Sequence, residues 1–373
     1  MTAPHYLVTG ATGFIGARLT RMILARGGTV TALARPSPRA RALRELGVQV
    51  VPGDLTTGRG ITEALRGADR VIHLAAALRA RTPAGFWAVN RDGVSRLVHA
   101  LAAQHRPARL VMCSSLAAGP AISLYGASKR AGEQVVRQHA GRVPAVILRP
   151  GIVYGPGEEA LLPALLPMIR LGVVVKAGYG PRRYGMVYVD DLCTALLAAA
   201  ERGPVLQPAG RGPVQRPAGY GPAQRRPGER GPAQRPAGYG PAQRRPGECG
   251  PAQRPDGRDP VLQAAGACPG LYPISDGNAY GWSDICRALA RAAGCRAPLV
   301  LPVPMPAVHA VAALAELAAR GAVPALNRDK AREMRRADWT CVPDDAVREL
   351  GFAPATTLIR GFEAALAALP AAP

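Results

Sequence analysis

Residues 5–16 read His5-Tyr6-Leu7-Val8-Thr9-Gly10-Ala11-Thr12-Gly13-Phe14-Ile15-Gly16, a short β-prone run that feeds into three glycines spaced G-x-x-G-x-x-G. Beyond them Ala17-Arg18-Leu19-Thr20-Arg21-Met22-Ile23-Leu24 has helical periodicity, with Phe14, Ile15, Leu19, Ile23 and Leu24 able to share one face. Strand, glycine turn and helix, in that order, is the setting a dinucleotide-binding turn requires. Gly10 would permit the tight turn, Gly13 would let the backbone approach a pyrophosphate, and Gly16 would let helix and strand pack closely. The helix amino terminus then offers free N–H groups and the positive end of its dipole to the phosphates. A tight βα turn without ligand would use the same glycines, so the residues beyond it must decide.

Moving outward, Thr29 to Leu33 predicts a second strand that runs into Ala34-Arg35-Pro36-Ser37-Pro38. A strand that serves NAD ends here in Asp or Glu, which holds the ribose 2′-hydroxyl. Arg35 suits a 2′-phosphate instead, so NADP(H) is expected in preference to NAD(H), unless Arg35 is only a solvated loop residue. Val48 to Val51 is a third strand, followed by Gly53-Asp54-Leu55. Asp54 is placed either to accept from an adenine amino group or simply to form a turn. Arg70 to Ala76 is a fourth strand whose end, Leu74-Ala75-Ala76, would line the cofactor, with His73 packed beneath. Phe86 to Ala103 reads as a helix containing Asn90. Arg109 to Cys113 is a fifth strand with Ser114-Ser115 at its end. Leu124 opens a helix carrying Tyr125 and Lys129, and Val146 to Leu148 leads as a sixth strand into Arg149-Pro150-Gly151-Ile152-Val153. A further helix opens at Val187–Leu192 and runs to Ala200. This alternation predicts an α/β fold with a doubly wound parallel Rossmann sheet.

A chain of 373 residues with 48% apolar composition can bury a large core. The net charge of +22 first suggests an acidic partner. Lysine, however, occurs only at Lys129, Lys176 and Lys330, so the basicity is almost wholly arginine in an Ala-, Gly- and Pro-rich chain. Compositional bias accounts for that better than a surface shaped for phosphate, and nucleic acid is disfavoured as a partner. Seven scattered cysteines without a C-x-x-C pair indicate neither a disulfide framework nor a metal site. With a strand entered near residue 6 and no apolar run of membrane-spanning length, no signal peptide or membrane segment is expected, and the cytoplasm is the expected compartment.

Gly203 to about Asp259 differs in kind. It is rich in Pro, Gly, Arg and Gln, and Arg211–Tyr220 returns 19 residues later as Arg230–Tyr239. The flanks are duplicated as well, since Pro204-Val-Leu-Gln returns as Pro260-Val-Leu-Gln. Removing 204–259 leaves a seamless chain of 317 residues. A tandem expansion in a disordered surface loop is expected, because the repeat has no apolar face to stack. Three regions follow: a dinucleotide-binding domain with the catalytic residues over 1–203, the repeat insertion over 204–259, and a substrate-binding region over 260–373. The last contains a strand at Leu271–Ile274, a helix with Ser283 as its expected cap, the proline-punctuated 299–306, an alanine-rich helix and a closing amphipathic helix. These elements would cap a substrate cleft.

Tyr125 and Lys129 lie four apart and so share a helix face. A phenol of ordinary pKa near 10 is a poor proton carrier at neutral pH. An ammonium one turn away would pull it down and could also hold a nicotinamide ribose. Ser115 can donate to a substrate oxygen and hold it against the tyrosine, which then handles the proton while hydride passes between cofactor and carbinol carbon. A lone Y-x-x-x-K is a common accident; together with the glycine turn and a strand-end serine, in this order, it is specific.

At this point the chain resembles the extended short-chain dehydrogenase/reductases, in the NAD(P)-dependent epimerase/dehydratase branch that includes 3β-hydroxysteroid dehydrogenase and dihydroflavonol reductase-like proteins. The resemblance rests on VTGATGFIG (8–16), GDL (53–55), HLAA (73–76), VN (89–90), SS (114–115), YGASK (125–129), RPGIVYGPG (149–157) and YVDDL (188–192). It continues in DG..Y.W (276–282), LNRDKARE (326–333) and ELGFAP (349–354). It implies Ser115, Tyr125 and Lys129 as catalytic, with Asn90 positioning a water or the helix backbone near Lys129. It also implies a cofactor site formed by Gly10, Thr12, Gly13, Phe14, Ile15, Gly16, Arg35, Asp54, Leu55, Leu74, Ala75, Ala76, Tyr125, Lys129, Pro150, Ile152 and Val153. A homodimer built from two helices of each subunit is usual for such proteins. One departure stands out: Ser115 and Tyr125 are ten residues apart, where the resemblance implies a loop of twenty or more. That predicts either a wider substrate cleft or a chain that has lost its chemistry. Three functions are consistent with these residues: an oxidoreductase acting on a secondary alcohol or ketone, a nucleotide-sugar epimerase/dehydratase that retains its NAD(P), and a non-catalytic NADP-binding sensor. For the second, Arg182, Arg183 and Arg328 are candidate anchors of a diphosphate.

Overall fold

In the computed structural model, residues 3–208, 268–319 and 323–369 are described. The 19-residue repeat at 211–259 lies outside them.

The first half alternates as the sequence pattern requires: β1 (His5–Thr9), α1 (Phe14–Ala25), β2 (Thr29–Ala34), α2 (Pro38–Glu45), β3 (Gln49–Pro52), α3 (Ile61–Ala64) and β4 (Arg70–His73). Next come α4 (Pro83–Trp87), α5 (Val94–Ala102), β5 (Arg109–Cys113), α6 (Leu124–Gln138) and β6 (Ala145–Pro150). Beyond β6 lie β7 (Ile152–Tyr154), α7 (Leu161–Arg170), β8 (Val173–Ala177), β9 (Arg183–Tyr184), β10 (Met186–Tyr188) and α8 (Val189–Glu201). Past the repeat the chain forms β11 (Leu271–Ile274), β12 (Tyr280–Gly281), α9 (Trp282–Ala292), β13 (Leu299–Val303), α10 (Met305–Ala318) and α11 (Arg328–Glu333). It closes with β14 (Asp338–Trp339), α12 (Asp344–Leu350) and α13 (Leu358–Ala367).

Seven strands make one parallel sheet in the order β11-β6-β5-β4-β1-β2-β3. Its strands read as near-continuous apolar runs because helices cover both faces. Alternate residues supply two cores. Val8, Ile72, Val111 and Val146 pack towards α1, α8 and the carboxyl-terminal helices, and Leu7, Val71, Leu110 and Ile147 pack towards α3, α5 and α6. The strand order reverses between β1 and β4, whose ends, Thr9 and His73, are register partners. A crevice at such a reversal is where open α/β sheets bind ligands. The seventh strand, Leu271–Ile274, comes from beyond the insertion and adds to the β6 edge.

Two local readings need correction. The helix expected as continuous over Phe86–Ala103 is interrupted by a π-helical turn at Ala88–Gly93. The helix after β12 is not capped by Ser283. Gly281 is its N-cap, and the Asp284 carboxylate accepts the Gly281 N–H at 2.9 Å. No disulfide framework was indicated, and the described cysteines are mostly free. Cys113, Cys193, Cys286, Cys295 and Cys341 are free thiols, but Cys268 is disulfide-bonded. Among the described residues no helix is long and apolar enough to cross a membrane.

Candidate active site

The crevice is floored by the glycine turn. Gly10 has φ +76°, and a Cβ there would stand 2.6 Å from the Ala75 nitrogen, so Leu74–Ala76 and the turn pack backbone to backbone. Leu74 N–H donates to the Thr9 carbonyl at 3.0 Å. A Cβ on Gly16 would collide with the Gly10 carbonyl. Gly13 is the N-cap of α1 and Thr12 precedes it. No side chain caps this helix and no carboxylate stands in its first turn. By contrast, serine side chains cap α2 and α6. An uncapped, acid-free helix start with backbone-close glycines fits a cofactor pyrophosphate. Phe14 and Ile15 are half-buried on the first turn.

Arg35 is exposed just past β2, and its charge acts on Asp54. Burial pushes the Asp54 carboxyl up, but hydrogen bonds from Thr56 and the Arg35 charge outweigh it and leave the group below its ordinary value. Asp54 Oδ1 accepts from the Thr56 N–H and hydroxyl, both at 2.7 Å, so the turn-forming role is present. Leu55 turns its side chain into the lower core, which leaves only its backbone for a cofactor. On the other side of the crevice Pro150 ends β6, and half-buried Ile152 and Val153 begin β7.

Tyr125 and Lys129 occupy the first turns of α6, whose N-cap Ser123 accepts the Gly126 N–H at 2.9 Å. The short loop does not separate Ser115 from Tyr125. After Ser115, which caps its own turn at Leu116–Ala118, the chain passes Ala121 at φ +52° and reaches the helix with the Ser115 hydroxyl near enough to act on the Tyr125 phenol. Close packing permits this. Gly126 has no Cβ to strike the Ala117 carbonyl, and Arg130 Nε donates to the Ala118 carbonyl at 2.7 Å.

Electrostatics at the tyrosine differ from the expectation. Burial raises the Tyr125 pKa, the neighbouring Ser115 hydroxyl lowers it, and Glu333 and Cys113 add to the rise. Lys129 does not pull it down, because its Nζ turns away and donates to the Cys113 carbonyl at 2.7 Å. Burial also pushes the Lys129 ammonium below its ordinary value. An ammonium has three donors, and two of these have no acceptor among the described residues, so a cofactor ribose could be held there.

Asn90 sits in the π-helical turn. Its Oδ1 accepts the Ala77 N–H at 2.8 Å, and its Nδ2 donates to the Ala77 carbonyl at 3.0 Å and to Ser128 Oγ at 2.9 Å. Ser128 Oγ in turn donates to the Tyr125 carbonyl at 2.8 Å. Asn90 thus ties the loop at Ala77 to the first turns of α6. Deeper in, Glu133 of α6 is bidentate to Arg149 of β6 and accepts from Ser114, all of them buried.

The candidate diphosphate anchors are otherwise engaged. Arg182 is buried and its guanidinium donates to the carbonyls of Ala177, Met334 and Arg336, while Arg328 pairs with Glu316 at 3.5 Å. Only Arg183 of the three is exposed without such a role. The sequence did not single out Asp329 and Glu333, which touch the start of α6. Their motif was visible, but nothing in its pattern pointed 205 residues upstream.

A parallel sheet reversing at an uncapped glycine turn, with Ser, Tyr and Lys at its rim, defines a nicotinamide-dependent Rossmann protein. The chain belongs to the NAD dependent epimerase/dehydratase family, whose sequence profile matches residues 6–208. It is 40% identical over 200 residues to the ceramide reductase of Caulobacter vibrioides, covering 53% of this chain and 61% of that protein. It is 33% identical over 215 residues to the 4-hydroxy-2-methyl-3-oxo-4-farnesyl-3,4-dihydroquinoline-1-oxide ketoreductase of Stigmatella aurantiaca, covering 53% and 64%. A 2-alkyl-3-oxoalkanoate reductase of Stenotrophomonas maltophilia is 30% identical over 222 residues, covering 52% and 64%. The chain therefore spans less than two thirds of the length of these relatives. In fold it is similar to the UDP-glucuronic acid 4-epimerase from Bacillus cereus in complex with NAD, at TM-score 0.62 and 17% identity over 98% of this chain and 96% of that one.

Proposed function

We propose that the protein is an NADP(H)-preferring reductase of a ketone carried on a long alkyl or isoprenoid chain. The observation that carries this reading is the placement of Ser115 beside Tyr125, close enough for its hydroxyl to act on the phenol, next to the glycine-turn crevice. The bound nicotinamide would supply a hydride from C4. Ser115 would then donate to the carbonyl oxygen, and Tyr125, protonated at working pH, would deliver its proton to that oxygen as the carbonyl carbon gains the hydride. The phenolate left behind is reprotonated from solvent. Lys129 holds the ribose, Asn90 fixes the helix backbone, and Gly10, Thr12, Gly13 and Gly16 receive the pyrophosphate. Arg35, with no carboxylate in its place, favours a 2′-phosphate.

Two features support a hydrophobic ketone. The loops bordering Tyr125 expose large apolar side chains, Leu78 at 68% and Ile122 at 42%. Two relatives are named as reductases of oxo compounds bearing farnesyl or alkyl chains, and a third is named a ceramide reductase. The nucleotide-sugar reading needs cations for a diphosphate, and two of its three candidates are committed to carbonyls or a carboxylate.

The test is a fluorescence titration with NADPH and NADH on wild type and Arg35→Glu, then NADPH consumption with 2-alkyl-3-oxo esters, short ketones and UDP-sugars. Tighter NADPH binding that reverses in Arg35→Glu, with turnover of the long-chain ketones, is expected. Cofactor carried through purification with turnover of UDP-sugars alone would transfer the assignment to the epimerase class. Binding without turnover of any carbonyl would favour a sensor.

A further inference from the structure

The stretch Leu326–Glu333 is absorbed by none of the roles above. Asn327 caps α11 by accepting the Lys330 N–H at 2.8 Å, and this short helix lays two carboxylates on the start of α6. Asp329 Oδ1 accepts the Leu124 N–H at 2.6 Å and Oδ2 accepts the N–H of Tyr125 itself at 3.1 Å. Ser123 donates its hydroxyl to Glu333 Oε1 at 2.7 Å, and Lys330 Nζ donates to Glu333 Oε2 at 2.7 Å. Glu333 is 8% exposed.

The first turn of a helix leaves N–H groups without partners, and a carboxylate there also meets the positive dipole end. Asp329 takes two of those donors, one belonging to the proposed acid itself. The clamp therefore fixes where Tyr125 leaves the helix, while Glu333 places negative charge beside the phenol. We propose that Asp329 and Glu333 are positioning residues that hold Tyr125 over the crevice and set a carboxylate charge against the start of its helix, poising the site for carbonyl reduction. This rests on the reading of Tyr125 as the proton donor.

The groups around Tyr125 are Cys113 at the end of β5, Ser115 just beyond it, and Asp329 and Glu333, with its partner Lys330, from α11; the Lys129 ammonium of its own helix is turned to the Cys113 carbonyl. Glu333 raises the phenol's proton affinity, so its removal and that of Lys330 should act in opposite directions. The experiment follows the high-pH limb of NADPH-dependent reduction of a 2-alkyl-3-oxo ester. If the ester does not turn over, the same limb is read as tyrosinate absorbance of wild type minus Tyr125→Phe. Glu333→Gln, which keeps an acceptor for Ser123, should move the limb to lower pH. Lys330→Ala, at an exposed side chain, should move it up. Asp329→Ala should lower kcat about tenfold or more with NADPH affinity unchanged, and should lose amide-exchange protection at Leu124 and Tyr125. Asp329→Asn should recover part of both. Folded Glu333→Gln and Lys330→Ala proteins whose limbs coincide with wild type would overturn the proposal, as would unchanged protection in Asp329→Ala. Full activity in Tyr125→Phe would instead remove the proton-donor reading beneath it.

Discussion

His73 shows how much a single side chain behind the crevice constrains. It is 1% exposed, its Nδ1 shares a hydrogen with Thr9 Oγ1 at 2.8 Å, and its Nε2 has no partner. Burial, with Lys129 nearby, pushes its pKa from 6.5 down to about 3. The folded protein therefore keeps His73 neutral while the unfolded chain protonates it below about 6.5. Stability should be full above that pH and fall through the window down to about 3, where the folded form protonates too. Urea unfolding should show a loss of about 2 kcal/mol between pH 7 and pH 5 that His73→Gln largely abolishes. An equal loss in the variant would assign the effect to other groups. The residues of the site were legible unevenly. Tyr125, Lys129, Ser115 and Gly10 stood out through their spacing and order along the chain. Lys129's turn towards the Cys113 carbonyl did not, because a motif fixes which helix face a side chain occupies but not which acceptor it finds. The contacts of Asp329 and Glu333 with the start of α6 were not legible for the same reason.

Among the elements, α6 carries the proposed proton donor and is held from three sides. Asp329 and Glu333 hold its start, Asn90 holds its first turns through Ser128, and Arg149 of β6 grips Glu133. A buried bidentate pair is costly to break from one side, because the remaining charge stays in an apolar setting. Arg149→Met should therefore destabilise by about 3–5 kcal/mol, and Arg149→Met combined with Glu133→Leu should recover much of the loss. Denaturant melts of the two variants decide it; a double variant as unstable as the single would mean that packing, not charge, dominates. The long strands and helices were legible because their periodicity extends over many residues. The π-helical turn was not. Its residues, Ala88 to Gly93, fit an α-helix locally, and only the close approach of Gly132 to the Asn90 carbonyl shows why an extra residue is accommodated there. Pairings as short as Tyr184 with Tyr280 lie below what any pattern can signal.

For the whole molecule, the sheet requires a seventh strand that the chain supplies only after the insertion. Leu206 is buried in the lower core and donates its N–H to the Ala145 carbonyl at 2.8 Å. Gly270, at φ +83°, lies so near that a Cβ there would strike the Leu206 backbone. The chain thus departs and returns at one point on the sheet edge, where a closed loop of any length can be accommodated. We read 204–259 as such an expansion between the regions 1–203 and 260–373. Deleting it brings Pro260-Val261-Leu262-Gln263 into the places of Pro204-Val205-Leu206-Gln207, so the same leucine type refills the buried position. Loop-closure entropy falls slowly with length, and this change of about three halvings favours the folded state by roughly 2 kcal/mol at most. The shortened protein should keep its NADPH affinity and melt at the same temperature or a few degrees higher, read by thermal unfolding with and without cofactor. A fall in melting temperature, or lost cofactor binding, would show that the repeat contributes contacts to the folded chain and is not a passive expansion.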